Sequence, residues 1–212
     1  MKITEIFLSI QGESSWQGLP CVFVRTTGCN LRCVWCDTDY AFFGGRDMSV
    51  EEIIVEVEHI GRGCRLVELT GGEPLLQKEI GLLAEALLAR GYAVLCETSG
   101  SVDVGILPAS VVKIMDIKCP GSGESEGNLW GNLEKLGPSD EMKFVVRDRA
   151  DYEWALAVIA ERGLAGRRLL FAPVWGELEV RRLAEWMLED NAPARLQPQL
   201  HKYIWGAGET GV

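Results

Sequence analysis

The chain contains no uninterrupted apolar run of the length that a bilayer requires, since a membrane-spanning helix needs about 20 predominantly apolar residues. Its first five residues, 1–5, lack the apolar core of a secretory leader. The chain also lacks the Lys/Arg runs of nucleic-acid-binding proteins, and its net charge of −10 disfavours contact with a phosphate backbone. We therefore expect a cytoplasmic protein that binds neither membranes nor nucleic acid.

A disulfide framework is disfavoured as well, because the seven cysteines are an odd number in a chain without an evident leader. No internal repeat, low-complexity segment or Pro/Ser-rich linker divides the 212 residues, which suffice for one domain with a sizeable core. We predict a single domain over residues 1–212. Four cysteines are isolated and are interpreted as small buried hydrophobic residues: Cys21, Cys64, Cys96 and Cys119.

Hydrophobic periodicity predicts strands that alternate with helices. Ser49 and Glu52 have the spacing of a capping box at a helix start, and Gly91 is a typical residue after a helix end. The predicted strands are 3–10, 21–26, 66–69, 92–96, 111–115, 143–146, 169–172 and 195–200, and the helices are 50–60, 78–90, 149–162 and 177–188. This alternation indicates an α/β fold with a mostly parallel sheet. About six βα units are too few for a closed eight-stranded barrel, so we predict a partial, open βα barrel.

Polar residues follow four consecutive predicted strands. Arg25 ends the first, and the others are followed by residues 70–74, 97–100 and 116–118. Ligands of parallel α/β folds bind at the C-terminal ends of the strands. The four segments are therefore expected to meet at one site.

Three further cysteines, Cys29, Cys33 and Cys36, lie within eight residues just after the second strand. Thiolates at such short spacings hold iron–sulfur clusters, and three of them leave one corner of a cluster without a protein ligand. Structural zinc usually has four protein ligands, so a zinc site with a distant Cys or His is one alternative. A non-catalytic iron–sulfur electron carrier is another.

Downstream, the chain reads Gly71-Gly72-Glu73-Pro74. Two glycines allow a strand to end as an edge that a ligand backbone can approach. Together with the C-x3-C-x2-C spacing of the cysteines, this motif resembles the radical S-adenosylmethionine (SAM) superfamily over roughly residues 25–120. The resemblance implies a 4Fe-4S cluster whose open iron is chelated by SAM. It also implies reductive cleavage of SAM to a 5′-deoxyadenosyl radical that abstracts hydrogen from a substrate.

The resemblance assigns SAM contacts to eight residues: Gly71, Gly72, Glu73, Glu97, Ser99, Asp116, Ile117 and Lys118. Many similar chains carry Ser-Pro-Lys where this one has residues 116–118, so only Lys118 is retained of those three. Asp-Ile-Lys also resembles the corresponding segment of glycyl-radical-enzyme activating proteins. An activating protein of that kind is therefore the alternative function.

Residues 7–13, 36–38 and 199–203 extend the resemblance to the 7-carboxy-7-deazaguanine synthases, and they disfavour the activating-protein alternative. That family converts 6-carboxy-5,6,7,8-tetrahydropterin to 7-carboxy-7-deazaguanine with loss of ammonia, requires Mg²⁺ and regenerates SAM. The resemblance implies that Thr38 binds Mg²⁺ and that the pterin is bound by Ile10, Gln11, Gly12, Glu13, Arg25, Thr70 and His201.

The same resemblance implies an N-terminal substrate loop, a C-terminal segment that caps the substrate, and a homodimer. It also implies an electron donor such as flavodoxin or ferredoxin, which the sequence does not identify. Simpler alternatives remain open for single residues: a strand-end salt bridge for Arg25, a loop-capping hydroxyl for Thr38, and an ordinary surface or core histidine for His201. A polar hairpin loop is the alternative for residues 11–18.

Overall fold

The computed structural model describes all 212 residues. The strands are β1 (Lys2–Ile10), β2 (Pro20–Thr26), β3 (Arg46–Asp47), β4 (Leu66–Gly71), β5 (Ala93–Thr98), β6 (Val112–Ile117), β7 (Glu141–Val146), β8 (Arg168–Pro173) and β9 (Arg195–Leu196). The helices are α1 (Val50–Gly61), α2 (Ile80–Ala89), α3 (Arg149–Glu161), α4 (Val180–Glu189) and α5 (Leu200–Ile204). No helix combines the length and the apolar character that crossing a membrane would take.

The strands form one nine-stranded sheet in the order β3-β1-β2-β4-β5-β6-β7-β8-β9. β1 runs antiparallel to both of its neighbours, and every other pair of neighbours is parallel. β3 and β9 are the two edges and do not pair with each other, so the sheet stays open. This arrangement confirms the predicted partial, open βα barrel.

Four crossovers between parallel strands contain one helix each, α1 to α4. The predicted capping box begins α1: Ser49 N donates to Glu52 Oε2 at 2.8 Å, and Glu52 N donates to Ser49 Oγ at 3.2 Å. The crossovers from β5 to β6 and from β6 to β7 contain only 3₁₀ turns. Glycines at 121, 123 and 127 in the second of these disfavour a regular helix.

The structure corrects two predicted boundaries near the C-terminus. The strand predicted over 195–200 ends at Leu196, and Leu200 already begins α5. Pro198 lies between them and has no amide hydrogen to donate to a strand ladder. The helix predicted from Glu177 begins at Val180. The two-residue strand β3 was not predicted, since both of its residues are exposed and show no hydrophobic pattern.

The two faces of the sheet differ in what they bury. The outer face packs against the helices in a cluster of 36 buried residues. The inner face carries a smaller apolar cluster towards the N-terminal ends of the strands, formed by Cys21, Phe23, Leu66, Leu95 and Ile114. Side chains alternate between faces along a strand, so the inner face continues two residues later with Arg25, Glu68, Glu97 and Asp116. The upper half of the barrel interior is therefore charged.

The isolated cysteines are placed largely as predicted. Cys21, Cys96 and Cys119 are buried, Cys64 is half-buried, and all seven cysteines are free thiols.

Candidate active site

A cavity of about 540 Å³ opens at the C-terminal ends of the parallel strands. All the residues predicted to bind the cluster, Mg²⁺ or substrate line this cavity, from the loop after β1 to His201 in α5. Six of the eight predicted SAM contacts line it as well, and the other two, Glu73 and Ile117, do not. The strand-end residues therefore meet at one rim.

The cysteine loop, residues 28–41, forms one wall of the cavity. Gly28 N donates to Ala41 O at 2.8 Å, which closes the loop, and Val34 N donates to Ser122 O at 3.0 Å, which fixes its middle. The three thiols are half-buried, and burial raises the pKa of each. No group of three or more His, Cys, Asp or Glu side chains is gathered as the ligands of a single metal ion would be.

The Gly-Gly segment after β4 contacts this loop so closely that no side chain fits between them. A Cβ atom on Gly72 would lie 2.4 Å from Gly28 O and 2.7 Å from Cys29 Cβ. Gly71 has a φ of +146°, and a Cβ atom there would lie 2.4 Å from Thr26 O. Gly72 is thus required by its close approach to the cysteine loop, and Gly71 by its close approach to Thr26 at the end of β2.

Glu73 lies behind the cavity wall and is fully buried. Its carboxylate accepts hydrogen bonds from Leu75 N at 3.0 Å, Thr98 Oγ1 at 2.9 Å and Ser99 N at 2.7 Å. Ser99 Oγ also donates to it. Glu73 therefore joins the end of β4 to the end of β5 and orders the turn that carries Ser99.

Ile117 also lies outside the cavity, for a reason that strand geometry explains. Asp116 faces the barrel interior, so the next residue of β6 faces outward. Ile117 is 2% exposed and belongs to the large apolar cluster. Its side chain packs within that cluster on the outer face of the sheet.

The predicted substrate loop is held by backbone and side-chain contacts. Gln11 N donates to Leu19 O and Gly18 N donates to Gln11 O, both at 2.8 Å. Gln11 Nε2 donates to the Glu68 carboxyl group on β4, and Glu13 N donates to Gln11 Oε1 at 3.0 Å. The loop is a hairpin, which is the simpler alternative given above for residues 11–18, and its Gln11 and Glu13 side chains line the cavity.

Helix α5 packs directly on this loop. Leu200 N donates to Gly12 O at 2.9 Å, and a Cβ atom on Gly12 would lie 2.1 Å from His201 Nδ1. Gln199 Nε2 donates to Glu13 Oε1 at 2.9 Å. Burial lowers the pKa of His201, and the Glu13 carboxylate only partly offsets that effect.

Arg25 forms a salt bridge and also faces the cavity. Its Nε donates to Glu5 Oε1 at 2.8 Å, and Tyr40 OH donates to the same oxygen at 2.9 Å. The guanidinium lies 5.8 Å from the ring centroids of both Phe7 and Tyr40. Its two terminal nitrogens donate no hydrogen bond within the protein, so a planar fork is available to a ligand carboxylate.

Thr38 and Asp37 follow the last cluster cysteine. Thr38 Oγ1 donates to Asp37 Oδ1 at 3.1 Å, and Lys202 Nζ of α5 lies 2.6 Å from Asp37 Oδ2. The carboxyl group loses part of its solvation beside the loop, but the Lys202 ammonium and the Thr38 hydroxyl together offset this and lower the pKa of Asp37 to about 2. Asp37 thereby joins the cysteine loop to the C-terminal helix.

The opposite wall carries a group of charged side chains that sequence reasoning identified only in part. Lys118 Nζ lies 2.6 Å from Asp116 Oδ2. Lys143 of β7 contacts Glu13, Glu97 and Asp116. Lys143 and Glu68 were not predicted as site residues. Both alternate with apolar residues that face outward, in Lys143-Phe144 and Val67-Glu68-Leu69, and that alternation could have identified them.

The C-terminal segment also lines the cavity, through residues 206–207 and 209–212. Before it, Tyr203 of α5 packs edge-on against Trp175, with ring centroids 5.0 Å apart. The cavity is thus bordered by the first loop of the chain, the cysteine loop and the last residues.

Comparison with known proteins gives one consistent result. The radical SAM superfamily matches residues 23–115. The chain is 48% identical to the 7-carboxy-7-deazaguanine synthase of Koribacter versatilis over 100% of both chains, and 47% identical to that of Chlorobaculum tepidum over 100% of this chain and 97% of the relative. The crystal structure of QueE from Escherichia coli matches with a TM-score of 0.77 at 26% identity, covering 94% of each chain.

The fold and the cysteine loop therefore define a radical SAM enzyme. Relatives of this similarity over the full chain also settle the family. The chain belongs to the 7-carboxy-7-deazaguanine synthases.

Proposed function

We propose that this chain converts 6-carboxy-5,6,7,8-tetrahydropterin to 7-carboxy-7-deazaguanine with release of ammonia, in the biosynthesis of 7-deazapurines such as queuosine, which serve tRNA modification. One observation carries the proposal. The side chains of Gln11, Glu13 and Arg25 line the same cavity as the three thiols of the cysteine loop. The carboxylate of a pterin and its guanidine-like amino-pyrimidine edge could thus both bind complementary side chains beside the cluster site.

Cys29, Cys33 and Cys36 would hold the 4Fe-4S cluster, since three free thiols on one loop fit its donor set. SAM would bind across Gly71 and Gly72 and along the wall formed by Glu97, Ser99, Asp116 and Lys118. Asp116 Oδ1 supports this placement, because it is buried and its nearest donor is Lys143 Nζ, an ion-pair contact at 3.3 Å without hydrogen-bond geometry. Cluster and SAM together supply hydrogen-atom abstraction when bound.

The remaining wall would orient the pterin. Arg25 would bind its carboxylate with the free terminal nitrogens of the guanidinium. Glu13 would accept two hydrogen bonds from the amino-pyrimidine edge, a charge-assisted bidentate contact. Gln11 and the backbone of Ile10 and Gly12 would complete that edge. Thr70 and His201 would contact the substrate from the sides and exclude water.

Mg²⁺ would bind next to the substrate carboxylate. Thr38 offers one hydroxyl oxygen, which suits a hard cation that keeps several of its waters. The Asp37 carboxylate beside it is paired with Lys202, so it orders this part of the loop and need not bind the metal itself.

Several wider features belong to the same proposal. Residues 1–212 would act as one domain, with residues 11–18 as the substrate loop and the C-terminal segment as a cap. The enzyme would work in the cytoplasm as a homodimer, with electrons from a flavodoxin- or ferredoxin-type donor and without binding nucleic acid or membrane. The alternative, a glycyl-radical-enzyme activating protein, needs access for a large protein substrate, whereas α5 packs on the loop that borders this cavity.

An anaerobic assay tests the function directly. The reconstituted protein is given dithionite, SAM, Mg²⁺ and 6-carboxytetrahydropterin, and the products are separated by chromatography and mass spectrometry. We expect 7-carboxy-7-deazaguanine and ammonia in equal amounts, with a lower rate when Mg²⁺ is withheld. Intact SAM cleavage without deazaguanine product would overturn the proposed substrate.

A further inference from the structure

Lys143 is a buried cation that contacts three carboxylates from three different parts of the chain. It is 4% exposed. Its Nζ lies 2.7 Å from Glu13 Oε2 in the substrate loop, donates to Glu97 of β5, and lies 3.3 Å from Asp116 Oδ1 of β6. Lys143 is therefore where the substrate loop meets the wall that we assign to SAM.

The charge balance around Lys143 explains why a cation is needed there. The titratable groups that surround Glu13 and Lys143 are Glu68, Glu97, Asp116, Lys118, His201 and Asp37. Four carboxyl groups thus face two ammonium groups: Glu68 is buried, and Glu13, Glu97 and Asp116 are half-buried. Asp116 already has Lys118 as its partner at 2.6 Å. For the others there remain Lys143 and, towards Glu97 alone, the Arg25 guanidinium.

Because the carboxyl groups outnumber the nearby ammonium groups, their pKa values shift in different directions. Burial and the neighbouring carboxylates raise the pKa of both Glu68 and Glu97. Burial would raise the pKa of Glu13 too, but the Lys143 ammonium, with a smaller contribution from His201, brings the pKa of Glu13 below its ordinary value. Of these three glutamates, Glu13 is the one whose pKa is lowered.

The geometry at Glu13 leaves room for a ligand. Gln199 Nε2 donates to Oε1 at 2.9 Å, and Lys143 Nζ donates to Oε2 at 2.7 Å. An ionised carboxylate can accept about four hydrogen bonds, so each oxygen retains capacity for one more donor. The two protein donors fix the carboxylate on both sides and present it to the cavity.

We propose that Lys143 is a positioning residue, which holds Glu13 as an oriented anion for the amino-pyrimidine edge of the substrate. This inference rests on the function proposed above. It assigns to Lys143 no contact with the substrate itself. Its effect on binding would pass through Glu13.

The chain contains a matched control. Lys113 is also 4% exposed and also faces a buried carboxylate, Asp140, with 3.5 Å between Nζ and Oδ2. It lies near the start of β6, at the opposite end of the sheet, and does not line the cavity. Lys113→Met therefore removes a buried lysine without touching the site.

The experiment measures the affinity of the reconstituted holoenzyme for 6-carboxypterin, an oxidised and unreactive form of the substrate, from mildly acidic to mildly basic pH. Wild type is expected to bind with little pH dependence. Lys143→Met is expected to bind about 10- to 100-fold more weakly at neutral pH, the loss typical of a charge-assisted contact. Without Lys143 the pKa of Glu13 rises, so affinity falls further in acid and recovers as the pH is raised through that pKa.

A double-mutant cycle assigns the effect to Glu13. In the Glu13→Gln background, Lys143→Met should change affinity less than about twofold and should add no pH dependence, because the amide carries no charge to hold. Lys113→Met should leave affinity and pH profile unchanged. Lys143→Gln serves as a second variant that retains a polar side chain if Lys143→Met fails to fold.

The outcomes separate this inference from the proposed function. If wild type cleaves SAM but does not bind the pterin, the proposed substrate is wrong. If wild type binds the pterin and the Lys143 variants match its affinity and pH profile, the inference about Lys143 is wrong. A loss that is uniform over pH and persists in the Glu13→Gln background would also overturn it, since that result indicates a general structural role.

Discussion

The lower and upper halves of the barrel interior are built from the same strands but bury opposite kinds of side chain. In β2, Phe23 packs in the lower apolar cluster, and Arg25, two residues later, reaches the cavity. In β5 the same relation links Leu95 to Glu97. The change from apolar to charged thus occurs within one repeat of the strand pleat.

The change does not occur at one level across the sheet, because the strand register is staggered. Glu68 pairs with Phe23 and Leu95 on its two sides, and Glu97 pairs with Ile114. Within each strand the apolar residue lies one pleat repeat below the charged residue, and we call these two sets the lower and the upper layer. We conclude that the lower layer mainly stabilises the fold and that the upper layer mainly carries chemistry, which the following substitutions test.

The largest effect is expected for Cys33→Ala in the upper half. Removal of one of the three proposed cluster ligands should abolish the brown colour of the reconstituted protein and reduce SAM cleavage to background. Absorption spectra and SAM cleavage assays measure both. Cys64→Ala, a half-buried cysteine outside the cavity, should retain both, and retained cleavage in Cys33→Ala would refute the cluster assignment.

Leu95→Ala in the lower half should show the reverse pattern. Leu95 is fully buried, and large-to-small substitution of a buried leucine costs about 2–5 kcal/mol of unfolding free energy. Urea unfolding measures the loss. Cluster content and SAM affinity, measured well below the unfolding midpoint, should stay near wild type. A loss of SAM affinity without a loss of stability would contradict the division into two layers.

Gly72→Ala probes the contact between β4 and the cysteine loop. The added methyl group would lie 2.4 Å from Gly28 O, and forced overpacking typically costs about 1–3 kcal/mol. The loop must shift to relieve it, so we expect lower cluster retention and slower SAM cleavage. Gly131→Ala is the control, because a Cβ atom there meets no atom within 4 Å. Equal behaviour of the two variants would show that the close approach is unimportant.

The smallest of these effects is expected for Arg25→Lys. Lysine keeps the charge but loses the planar fork, so the KM for the pterin should rise about tenfold, as expected from the loss of one charge-assisted hydrogen bond. The KM for SAM should not change. Steady-state kinetics with each substrate varied in turn distinguishes the two, and an equal rise in both values would place Arg25 outside the substrate wall.

Local motifs allowed much of this arrangement to be predicted from the sequence. The capping box at Ser49, the cysteine spacing and the Gly-Gly segment each depend on a few adjacent residues. The placement of Arg25 and Glu97 at the rim followed from the order of the strands. The residues at the strand ends lie together because a parallel sheet converts positions at strand ends into neighbours in space.

The predictions were less complete where long-range contacts decide the outcome. The carboxylate of Glu73 is turned away from the cavity by its bonds to residues 98–99, which no local pattern reveals. The segment after Leu196 became a helix because it packs on Gly12. Ile117, by contrast, could have been assigned to the outer face from its position next to Asp116, since neighbouring strand residues face opposite ways.

The bond between Gln199 and Glu13 joins residues 186 positions apart. A contact of this separation forms only once the strands between the two residues are assembled, so the orientation of Glu13 is a property of the completed fold and not of its own loop.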